Sequence, residues 1–127
     1  MNAKRAAGRV VPLALALVVV SPVRPLVASA DSLVWTVKSS YRHRVQIAFY
    51  SQSRTVEWPG NGQAWEVNDY DTHRYSLTCI TGETICFGAW VTGDPGVYWG
   101  LGAHRERSCD RCCYVCGAGE TARQILD

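Results

Sequence analysis

The chain has 127 residues, with 13 Lys and Arg against 11 Asp and Glu, six cysteines and five tryptophans. That length fits one domain with a modest core. A net charge of +2 gives no basic footprint of the kind a nucleic-acid-binding domain needs.

Residues 1–9 carry Lys4, Arg5 and Arg9 and no acid, Val10 to Val20 is an apolar run, and Ala28-Ser29-Ala30 offers a small-residue cleavage site. The run is long enough for a signal-peptide core and too short to span a bilayer comfortably. Together these predict a secretory signal peptide over residues 1–30, cut after Ala30, with an uncleaved anchor as the alternative. Cleavage would leave residues 31–127, or 97 residues, as a single domain. Thirteen basic residues less Lys4, Arg5, Arg9 and Arg24 leave nine against 11 acids, a net charge of −2. The expectation is a secreted or periplasmic protein with no nucleic-acid partner and no membrane span after signal cleavage.

From residue 31 onward the hydrophobic period is two. Leu33, Trp35 and Val37 alternate with more polar neighbours, as do Val45, Ile47 and Phe49, and each run predicts a strand with one face inward. Trp58-Pro59-Gly60-Asn61-Gly62 predicts a turn. A short strand is expected near Ala64 to Val67, then a turn over Asn68 to Thr72. His73 to Thr92 predicts a hairpin closed at Gly82-Glu83 by a II′ turn. In that register Cys79 faces Cys86, Leu77 faces Gly88 and Tyr75 faces Trp90. Gly93 to Gly96 predicts another turn, Val97 to Leu101 a strand, and Ala122 to Leu126 a last strand. No helix of useful length is expected. About six to eight short strands predict an all-β domain, a small antiparallel sandwich or open barrel stapled by disulfides.

Four of the six cysteines fall in Cys109-Asp-Arg-Cys112-Cys113-Tyr-Val-Cys116. Export favours disulfides over free thiols. Facing residues in the hairpin lie about 4.5–5.5 Å apart at Cα, within disulfide reach, so Cys79–Cys86 is expected as a cross-strand bond. The cluster would then pair within itself, as Cys109–Cys112 with Cys113–Cys116 or as Cys109–Cys113 with Cys112–Cys116. A competing scheme sends Cys112 or Cys113 to the hairpin. No cofactor is expected. The metal alternative is zinc on Cys109, Cys112, Cys113 and Cys116, with abutting knuckles a poor match to ordinary zinc spacing. A third reading is an envelope thiol–disulfide oxidoreductase using the C-x-x-C pairs, without the βαβ context such enzymes use.

No catalytic set emerges. His43, His73 and His104 are scattered, no nucleophile elbow or phosphate loop occurs, and Asp69-x-Asp71-x-His73 lacks the glycine and distal glutamate of a calcium loop. Trp35, Trp90 and Trp99 sit in predicted strands and fit core packing. Trp58, Trp65 and Tyr70 lie at or beside turns, where aromatic faces could stack on sugar rings, and are the candidate binding residues.

Several stretches resemble a known group as a set: Phe49-Tyr50-Ser51-Gln52, Trp58-Pro59-Gly60, Gly82-Glu83-Thr84-Ile85-Cys86-Phe87-Gly88-Ala89-Trp90, Tyr98-Trp99-Gly100 and the final C-x-x-C-C-x-x-C-Gly. The set resembles small exported bacterial proteins of the kind found in rhizobia and their relatives. The resemblance implies export and a shared fold, and transfers no catalytic residue. The resulting expectation is a binding or structural module of the cell envelope, more a binder than an enzyme, with an envelope polysaccharide or protein as partner.

Overall fold

The computed structural model describes residues 8–24 and 29–127. Lys4, Arg5 and Ala28 of the expected leader lie outside the described residues. Residues 8–24 form no helix or strand, and the apolar run from Val10 to Val20 stands open to solvent without packing on the domain. No helix among the described residues is long and apolar enough to cross a membrane.

The domain is two packed β-sheets. Its strands are β1 (Ala30–Ser39), β2 (Val45–Ser51), β3 (Glu57–Trp58), β4 (Trp65–Val67), β5 (Thr72–Ile80), β6 (Thr84–Val91), β7 (Asp94–Gly100), β8 (Cys113–Val115), β9 (Gly119–Glu120) and β10 (Gln124–Leu126). A single 3-10 turn at Ala103–Arg105 is the only helical piece among the described residues. In the smaller sheet β1 pairs antiparallel with β5 along one edge and parallel with the short β9 and β10 along the other. In the larger sheet β2 and β6 are central. The far edge of β2 is shared by β3 and β4, and the far edge of β6 by β7 and β8. Strand segments exceed the expected six to eight because each long central strand is flanked by two short pieces rather than one full-length partner. Two of the pairings are parallel, where the sequence pattern led to a wholly antiparallel sheet.

The alternation in β1 produces the inner face that the sequence predicts, with Leu33, Trp35, Val37 and Ser39 buried. Val45, Ile47 and Phe49 face it from β2, and Ile85, Phe87 and Ala89 from β6. Trp35 is fully buried at the centre, with Phe49, Phe87 and Tyr114 at ring separations of 5.0, 5.8 and 5.2 Å. Tilted and edge-on aromatic pairs of this kind add to plain area burial. The larger sheet is also covered outside. Ala48, Tyr50 and Gly88 are buried there, and a Cβ on Gly88 would overlap the carbonyl oxygen of Gly102. The loop after β7 therefore lies directly on this face, and a period-two reading expects solvent there instead.

The expected hairpin from His73 to Thr92 is not formed. β5 belongs to the smaller sheet and β6 to the larger, so the chain changes sheets at residues 81–83. Glu83 N–H donates to Ile80 C=O at 2.9 Å, which makes Thr81 and Gly82 the central turn residues, with Gly82 at φ 86°. Positive φ at the second central position is the type II arrangement, which splays the strands that a II′ turn would bring together.

Of the two edges of β6, β2 fills one along its length, and β8 shares the other with β7. Thr84, Ile85 and Cys86 pair with Val115, Tyr114 and Cys113. The expected Cys79–Cys86 bond is therefore corrected: Cys86 bonds Cys113 across the β6–β8 pair, and Cys79 bonds Cys116. Cys109–Cys112 is formed as one expected scheme had it, and sending Cys113 to Cys86 follows the competing one. The pairings Cys113–Cys116, Cys109–Cys113 and Cys112–Cys116 are not formed. The result is a small two-sheet β-sandwich stapled by three disulfides.

Candidate functional site

Along one side of the sandwich the edge of the larger sheet, β3 and β4, meets the edge strand of the smaller sheet, β5. Trp65 on β4 and Tyr75 on β5 bridge this seam, with ring centroids 4.8 Å apart. Both also pack on Phe49 in the core, at 5.9 and 5.5 Å. His73 lies two residues before Tyr75 on the same strand face, its ring nearly parallel to the tyrosine at 6.2 Å. Trp65, Tyr75 and His73 thus form a row of half-buried rings, the first two packed against the core.

The turn between β4 and β5 adds polar groups to this row. Asp69 Oδ1 accepts the Asp71 N–H at 3.1 Å and sits 2.7 Å from His73 Nε2. These contacts hold the Asp69 carboxylate below its ordinary range, the His73 hydrogen bond most of all. Tyr75 moves the other way: burial first, then the negative charge of Asp69, push its phenol up to about 12. Its hydroxyl is therefore protonated at neutral pH and able to donate. Tyr70 sits at the turn tip, 54% exposed and in the left-handed region at φ 60°.

The candidate residues fare differently. Trp65 joins the aromatic row. Tyr70 is exposed on the turn between β4 and β5. Trp58 leans on the core from β3, and its indole N–H donates to the Thr78 carbonyl on the outer edge of β5 at 3.2 Å; its ring closes the seam. Trp90 donates to Gln46 Oε1 at 3.0 Å, and Trp99 packs on Tyr41 at 5.2 Å, both partly buried against the core. The sequence pattern places Tyr75 opposite Trp90 in a hairpin and His73 in a weak calcium-loop pattern, so neither reads as part of a site. The signal available was the four-residue spacing of Asp69 and His73 across a turn.

A second polar centre lies where the chain changes sheets. The Glu83 side chain, 2% exposed, takes two hydrogen bonds from Arg54, Nε to Oε1 at 2.7 Å and Nη2 to Oε2 at 2.8 Å. It also accepts the Ser51 hydroxyl at 2.5 Å and the Ile80 N–H at 2.9 Å. Arg54 foremost, then Ser51 and the Ile80 N–H, outweigh burial and hold the carboxyl at about 2. All its acceptor capacity is used within the protein, so this centre fixes the turn.

The cysteine cluster does not gather its sulfurs around a common point. Cys116 reaches to β5 and Cys113 to β6, leaving only Cys109 and Cys112 to each other. Among the described residues no three His, Cys, Asp or Glu side chains are placed to hold a metal ion. Fold and site together define the class: a disulfide-stapled β-sandwich domain with an aromatic seam between its sheet edges. The chain matches no protein-family model, no curated protein and no solved structure.

Proposed function

We propose that this chain is an exported binding module of the cell envelope and that its ligand surface is the aromatic seam of Trp65, Tyr75 and His73, rimmed by Asp69 and Tyr70. The observation that carries the reading is the row of half-buried rings 4.8 and 6.2 Å apart, ending at a carboxylate. Half-buried rings on a rigid sheet edge present apolar faces at low entropic cost, while Asp69 accepts and Tyr75 donates hydrogen bonds. Apolar ring faces beside hydroxyl partners suit a polysaccharide. Three disulfides and an unpacked apolar run ahead of the domain support export, as does the resemblance to small exported bacterial proteins.

Tyr70→Ala and Asp69→Asn test the surface with little risk to the fold, since both side chains are exposed. In titration calorimetry against soluble envelope oligosaccharides each is expected to weaken binding roughly 5- to 30-fold, the worth of one stacking or charged hydrogen-bond contact. Thermal midpoints should barely move. Unchanged affinity in both variants would rule this surface out. Trp58→Ala is expected to lower stability instead, because that ring is packed on the core.

A further inference from the structure

The three disulfides do different physical work. Cys79–Cys116 and Cys86–Cys113 link residues 37 and 27 apart and tie β5 and β6 to the C-terminal segment, whereas Cys109–Cys112 spans a separation of 3. By loop-closure entropy the two long links constrain the unfolded chain more than the short one does. The short link sits in a loop with no strand between Glu106 and Cys112, and Ser108, Asp110 and Arg111 there are exposed. Its two sulfurs are unequal. Cys109 is half-buried and packs against the core, while Cys112 is fully buried, its Sγ 3.1 Å from the Cys109 carbonyl and 3.9 Å from Cys113 Sγ.

We propose that Cys109–Cys112 is a thiol–disulfide exchange site that oxidises accessible dithiols, with Cys109 as the attacked sulfur. One thiolate of the dithiol attacks Cys109 Sγ. The Cys109–Cys112 bond breaks, and its electron pair leaves on Cys112 Sγ, which takes a proton. The second thiolate of the dithiol then attacks the dithiol's own sulfur in the mixed disulfide and releases Cys109 Sγ, which is protonated in turn. The dithiol ends as a disulfide, and two electrons and two protons rest on Cys109 and Cys112. Reduced Cys112 has the Cys109 carbonyl as an acceptor for its S–H, and its burial leaves Cys109 as the sulfur that meets partners. The fold survives this reduction because the two long links stay closed.

The oxidised chain is equilibrated with graded mixtures of reduced and oxidised dithiothreitol, quenched in acid, alkylated and mapped by peptide mass. Cys109 and Cys112 are expected to label together at a reductant ratio about tenfold or more below that opening any other pair, with the near-ultraviolet dichroism unchanged. A peptide carrying two thiols, supplied in place of dithiothreitol, identifies the source. Its one-for-one oxidation assigns the site to protein thiols, and reaction with dithiothreitol alone assigns it to small thiols. In Cys112→Ser, oxidised glutathione should form a mixed disulfide at Cys109; if that variant does not fold, the wild-type labelling order decides. Labelling of Cys86–Cys113 or Cys79–Cys116 at the same or a lower ratio overturns the proposal. So does loss of tertiary signal on opening Cys109–Cys112, or oxidation of neither dithiol.

Discussion

Glu83 shows how one residue can carry a corner. A buried carboxylate is costly unless its lone pairs are filled, and here Arg54, Ser51 and Ile80 fill them. Its folded pKa of about 2 lies below the ordinary 4.5, so the folded state holds the proton less readily than the unfolded one. The stabilisation is therefore complete above about pH 4.5 and is lost as pH falls from there toward 2, about 3 kcal/mol in all. Glu83→Gln should cost about 2–3 kcal/mol at pH 7 and almost nothing at pH 2. Urea midpoints of both proteins at the two pH values check this, and an equal loss at both would show that the charge is not what matters. The sequence gives little warning of this role, because an acid after a turn glycine usually faces water.

Among the elements, the glycines separate two kinds of constraint. Gly82 needs its freedom for φ, at 86°, with open space where a Cβ would go. Gly88 needs it for room: a Cβ would meet the Gly102 carbonyl and come within 2.9 Å of the Tyr50 ring. Gly82→Ala is expected to cost about 1 kcal/mol through backbone strain. Gly88→Ala should cost about 3 kcal/mol or more, since the obstacle is backbone that cannot rotate aside. Chemical denaturation of the two variants gives the comparison, and equal losses would mean that the loop after β7 is free to lift from the sheet. The strands themselves were largely legible. The β1 and β2 alternation and the turns near residues 60 and 70 fall where the residues put them, whereas the turn expected over Gly93 to Gly96 tightens to residues 92–93 and β7 begins at Asp94. The partners of those strands were not legible, because period two fixes a strand's faces and leaves its neighbours open.

For the molecule as a whole, the long disulfides join parts that the chain order keeps apart. Replacing Cys79 and Cys116 together with Ser should remove about 4 kcal/mol, and replacing Cys109 and Cys112 about 2 kcal/mol. Against the 5–15 kcal/mol typical of such domains, the first loss is a large fraction and the second a modest one. Thermal scans of the two double variants test the order, and a reversed order would contradict the division of labour among the links. The aromatic seam also exists only at this scale, since Trp65 and Tyr75 belong to different sheets.

By itself the sequence determined the class of fold, through alternating hydrophobicity and turn chemistry, and the abundance of cysteine. Both are local properties, set by side-chain period and by which residues tolerate a given φ. Tertiary structure alone decided that β8 rather than β5 lies beside Cys86, that Cys79 reaches Cys116, that a loop covers the outer face at Gly88, and that Trp65, Tyr75, His73 and Asp69 form one surface. Each depends on which segments become neighbours in space, which hydrophobic period leaves open. A type II corner at Gly82, braced by a buried carboxylate, carries the chain from β5 in one sheet to β6 in the other.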